Sequence, residues 1–135
     1  MEIKAEGIDH LGIVSGICDE INLVETIDTA IRQKSNVKIS IGTRVKAMVL
    51  NAMGFTGRPL YLSHQFFQKK ALALLLGPEI SPCDLNDDAI GRALDELYKA
   101  GPELVYCLVA ARAIKNYNIK IDKLHGDTTS ISVQG

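Results

Sequence analysis

Tryptophan is absent from this chain, and only seven residues, four Tyr and three Phe, are aromatic. A core must therefore be assembled mainly from Ile, Leu, Val and Ala. Cysteine is scarce too. Cys18, Cys83 and Cys107 are odd in number and widely spaced, which fits neither a disulfide framework nor a zinc site and favours free thiols in a reducing compartment. No apolar stretch approaches the length of a membrane span; the run Ala71 to Leu76 is far too short. The first residues, Met1 to Glu6, mix charges and lack the apolar segment of a secretion signal, so a cytoplasmic protein is expected, with no membrane partner. What remains is 135 residues, 47% of them apolar, enough for one domain with a real core.

The most informative absence is local. Between Thr29 and Pro78 there is no Asp or Glu, while Arg32, Lys34, Lys38, Arg44, Lys46, Arg58, Lys69 and Lys70 all fall there. The first 28 residues carry seven acids against Lys4 alone, and residues 79–103 carry seven against Arg92 and Lys99, so the net charge of −1 hides a strong segregation. Two outcomes are open. The basic block forms an electrostatic footprint for phosphates, or the flanking acids fold against it and neutralise it.

Apolar periodicity and punctuation predict a mostly helical chain. Helices are expected at about residues 10–21, with Asp9 as N-cap, and 24–33. The next, at 42–53, has Ser40 as N-cap and Val45, Met48, Val49, Ala52 and Met53 on one face. One or two short helices are expected within residues 60–76. A helix over 87–100 should carry Ile90, Ala93, Leu94, Leu97 and Tyr98 inward, with Asp88–Arg92 and Asp95–Lys99 as surface pairs. Gly101-Pro102 then ends one helix and opens another, because Gly suits the position after a helix and Pro the first position of the next. That last helix, about 102–117, is apolar nearly all round and is expected to be the central buried one. Beyond it, alternation and β-branched residues predict strands at about 124–128 and 130–134. The expected fold is thus mostly α, a compact multi-helix domain over 1–118 followed by a C-terminal β-hairpin within 119–135.

Four segments carry a resemblance. They are Gly12 to Gly16 with Asp19-Glu20-Ile21; Val45 to Phe55 running into Arg58-Pro59-Leu60-Tyr61; Leu76-Gly77-Pro78 followed by Asp84 to Asp95; and Leu124-His125-Gly126-Asp127-Thr128-Thr129-Ser130. In this order and spacing they resemble the N-terminal region of bacterial insertion-sequence transposases of the IS4-like group, which use an Asp, Asp, Glu triad. The resemblance implies a helical region preceding an RNase H-like catalytic domain, with the hairpin as the start of that domain's sheet, here truncated. It implies that Asp127 is the first catalytic carboxylate and a ligand for Mg²⁺ or Mn²⁺, and that transposon-end DNA is the partner. Two metal ions clamp the attacking and leaving oxygens in such chemistry, and one aspartate does not hold both. The chain alone is therefore expected to be catalytically incomplete and to bind no metal by itself.

Arg32, Lys34, Lys38, Arg44 and Lys46 are the leading candidates for DNA contact, followed by Arg58, Lys69 and Lys70. The helices at 24–33 and 42–53 vaguely suggest a helix-turn-helix, although the connection exceeds that motif's turn of about 3–4 residues. Asp84, Asp87 and Asp88 read as helix-start capping groups rather than a metal cluster. His10, His64 and His125 have no metal spacing. A competing reading is a module that dimerises through its apolar helices without DNA affinity. A complete small enzyme is the poorest fit, since no nucleophile–base set appears and no small-molecule substrate is indicated.

Overall fold

A computed structural model describes residues 3, 5–32, 36–130 and 132. Seven α-helices follow in order among them: α1 Leu11–Glu20, α2 Leu23–Ala30, α3 Ile41–Met53, α4 Ser63–Phe67, α5 Leu72–Leu75, α6 Asp87–Ala100 and α7 Pro102–Asn116, with 3₁₀ turns at Leu60–Leu62 and Pro82–Leu85. Local signals explain most boundaries. The Ser40 hydroxyl accepts from the Thr43 N–H and starts α3. The Asn86 side chain accepts from the Ala89 N–H and starts α6. Asp84 and Ser81 form a reciprocal capping box on the 3₁₀ turn between. Asp9 does not cap α1. His10 holds that position without a side-chain bond, while Asp9 turns to Lys70.

The centre of the fold is α3. One apolar cluster joins its Ile41 and Met48 to Cys18 of α1, Leu23 and Ile27 of α2, Ile31, Ile90 and Ala93 of α6, and Val105 of α7. A second joins its Ala47 and Leu50 to Leu11, Phe66, Phe67, Leu72, Leu75 and Leu85. One helix with two buried faces thus divides the core in two. Close approach to α2 depends on Gly42, where an added Cβ would lie 2.4 Å from the Val24 carbonyl oxygen. The Gly42 N–H donates to the Asp28 carboxylate at 2.7 Å across the same crossing. At the other end of α3, buried Asn51 holds the following turn. Its amide donates to the Arg58 carbonyl, and its oxygen accepts from the Arg58 N–H.

Besides the Asp9 cap, three expectations are overturned. Of the α6 residues expected to face inward only Ile90 and Ala93 are buried, while Leu94 and Tyr98 are exposed. α7 is not the central buried helix. It packs on α2 and α6 with Val105 as its one buried residue, while Leu104 is 57% exposed and Tyr106 and Leu108 also face outward. An all-apolar circumference was the wrong guide, because two neighbouring helices cover only one side of it. Nor does a C-terminal β-hairpin form among the described residues. Among the described residues no strand forms, and the single bridge is the isolated parallel pair of Gly7 and Lys70. From Asn118 to Ser130 the chain is irregular and exposed, with Leu124 at 89%. Alternation and β-branching there meet no third strand and no apolar face to cover, and a lone hairpin is marginal in water. Most of the expected second strand, 130–134, lies outside the described residues.

Among the described residues no helix is long and apolar enough to cross a membrane. The three cysteines are free, and burial pushes the Cys18 thiol up from its ordinary value.

Candidate nucleic-acid interface

The fold sorts the basic block into two groups. Three of its lysines are each answered by an acid from a flanking stretch. Lys46 points from α3 to Asp19 of α1 at 2.7 Å, its side chain only 6% exposed against 67% for the aspartate. Lys70 meets Asp9 and lies over the Phe66 ring. Lys38 meets Asp84 at 2.7 Å, a contact that, with the Ser81 N–H and hydroxyl, holds the Asp84 carboxyl down to about 2. Arg58 and Lys69 are exposed, and their backbones take part in the Asn51 and Gly7 contacts respectively. Lys34 lies outside the described residues.

The arginines behave differently. Arg32, just past α2, Arg44 on α3 and Lys38 line one open cleft of about 520 Å³ together with Arg92 of α6. Asn36, Val37, Ile41 and Glu96 complete its wall. None of the three arginines lies in an ion pair among the described residues, whereas Glu96, the one acid in the lining, is held by Lys99 at 2.7 Å. Arg44 is half-buried, and its Nε is enclosed with no hydrogen-bond partner among the described residues. Burial, and then the neighbouring Arg92 charge, push the Arg44 guanidinium below its ordinary value. An arginine still carries its charge under such a shift; the direction registers electrostatic discomfort.

Arg92 was missed as a site residue. Its spacing from Asp88 suggested a surface pair, but Lys99 pairs with Glu96 and Arg92 turns to the cleft instead. The one signal available was its position as one of two bases in an acid-rich stretch.

Asp127 stands in the exposed tail, where its carboxylate accepts from the Thr128 N–H at 2.7 Å. Among the described residues no group of three or more His, Cys, Asp or Glu assembles that could hold a cation, around Asp127 or elsewhere. That donor set does not fit a pair of hard divalent ions. Asp84, Asp87 and Asp88 sit at a 3₁₀ turn and in the first turn of α6, as capping predicts. His10 binds the Met53 carbonyl and stacks on Phe55; His64 lies in α4 and His125 in the tail.

The class these features define is a small helical domain with an arginine-lined cleft beside its central helix. More particularly, the chain belongs to the DUF4277 family, described as a domain of unknown function, whose match covers residues 3–111. All the cleft residues lie within that span and Asp127 lies beyond it. No curated protein and no solved structure matches the chain.

Proposed function

We propose that this is the DNA-binding and assembly domain of an insertion-sequence transposase, acting on transposon ends in the cytoplasm. The observation that carries the proposal is the group of arginines in the α3–α6 cleft, Arg44 half-buried and Arg32 and Arg92 exposed, with no ion pair among the described residues, in a chain whose buried cation Lys46 is matched. The four sequence segments that resemble IS4-like transposases supply the biological setting. Guanidinium groups held on a rigid helical scaffold suit phosphate oxygens, and their contacts position a protein on DNA without reading its sequence.

Titrating a labelled duplex by fluorescence anisotropy at several salt concentrations tests it. Affinity should fall linearly in log–log form, with a slope of about 0.9 per phosphate neutralised. Absent or salt-independent binding would sink the proposal.

A second reading, dimerisation through apolar helices, is favoured by the outward Leu104, Tyr106 and Leu108 of α7. Sedimentation across a concentration series tests it; a monomer throughout rejects it.

A further inference from the structure

We propose that the cleft between residues 36–38, α3 and α6 is a discrete phosphate seat, in which Arg44, Arg92 and Arg32 converge on one phosphodiester group of a DNA strand. The inference rests on the DNA-binding reading above and goes further, by naming the seat and by bringing in Arg92 from outside the basic block.

Three observations carry it. Arg44 and Arg92 come from different helices and sit close enough for one charge to disturb the other, with no acid paired to either. Bringing the exposed Arg92 charge beside the half-buried Arg44 is unfavourable, and an anion between them reverses the sign of that interaction. The enclosed Arg44 Nε lacks an acceptor among the described residues, an unmet buried donor that leaves this guanidinium underused by the fold itself. Finally, the cleft is several times larger than a phosphate group, with Asn36 as a further polar group and Val37 and Ile41 as an apolar wall for an adjoining sugar. A tetrahedral phosphate offers acceptors in several directions, which suits three guanidinium forks better than a planar carboxylate does. Glu96 repels an anion in the same cleft, but its contact with Lys99 offsets that. Lys38, at the rim, is engaged by Asp84.

The test uses the full chain, a labelled duplex and, separately, inorganic phosphate. Arg44→Met and Arg92→Met should each weaken duplex binding about tenfold and lower the salt slope by about one. Arg44→Lys should recover only part of the affinity, since it restores charge without the fork. Lys115→Met, which removes an equal charge from α7, should change affinity less than about twofold. Phosphate should raise the melting temperature of the wild type but not of Arg92→Met. If duplex binds and the two arginine variants behave like Lys115→Met, the seat is wrong while the DNA reading survives. If phosphate protects the wild type through Arg92 but duplex does not bind, DNA is overturned as the ligand and the broader reading falls with it. If neither binds, both are overturned.

Discussion

On the α1 side of α3, Lys46 is buried against Asp19; on the α6 side of the same helix, Arg44 faces Arg92 across an open cleft. Both cations come from one acid-free block and stand two residues apart. The first is compensated by an acid from the N-terminal stretch, and its burial is tolerable because the carboxylate stays in water. The second meets another base. An acidic sequence on either side of a basic one therefore does not neutralise it uniformly. Helix orientation selects which cations are matched. On the proposal above, those left over are where an external anion would lower the energy, and the sign of the neighbouring charge separates structural cations from binding ones.

The comparison depends on α3 being held in place, and the largest expected effect comes from disturbing that. Gly42→Ala forces a methyl group against the α2 backbone, which has no rotamer to yield, and should destabilise the fold by roughly 2–3 kcal/mol. Denaturant unfolding checks this; an unchanged midpoint would mean that α2 slides away freely. Next, Asp19→Ala strands the Lys46 ammonium and should cost about 1–2 kcal/mol, less than a fully buried pair because Asp19 is largely exposed. Combining it with Lys46→Met should recover part of the loss; strict additivity would show that the pair does not couple.

On the cleft side the sign should invert. Arg44→Leu relieves the repulsion and adds apolar surface beside Ile41 and Val37, so stability should rise by about 0.5–1 kcal/mol while DNA affinity falls. A destabilised variant would break the distinction between the two sides.

The smallest effect is titration at the cleft rim. Asp84 has its folded value lowered to about 2, chiefly by the Lys38 hydrogen bond. A lowered carboxylate stabilises the fold above its unfolded value near 3.8, and that contribution disappears as pH falls through about 2. Urea unfolding of the wild type and Lys38→Met should therefore differ by less than about 1 kcal/mol at neutral pH, with the difference vanishing in acid. A difference that grows in acid would reverse the assignment.

Much of the helical framework was legible. The Ser40 cap and the Gly101-Pro102 junction depend on contacts within a few residues, and α3, α6 and α7 fall close to their expected limits, although of the expected α6 stripe only Ile90 and Ala93 are buried while Leu94 and Tyr98 are exposed. Burial was less legible. α3 has a clear stripe, yet Leu50 and Ala47 lie buried in a second cluster outside it, whereas the more apolar α7 lies at the margin. The strand expected at 124–128 had correct local composition, but strand formation needs a partner at a distance. Within the site, Arg32, Lys38 and Arg44 were named from the acid-free block, while Arg92 was assigned a surface pair it does not make.

By itself the sequence determined where helices begin and end and which segment holds cations without acids, because caps, breakers and composition are local properties of the chain. Tertiary structure alone decided that α3 rather than α7 is central, that Lys38, Lys46 and Lys70 are compensated, and that Arg44 confronts Arg92. Those outcomes depend on distances between groups many residues apart, and Coulomb and packing energies respond to those distances and not to order along the chain.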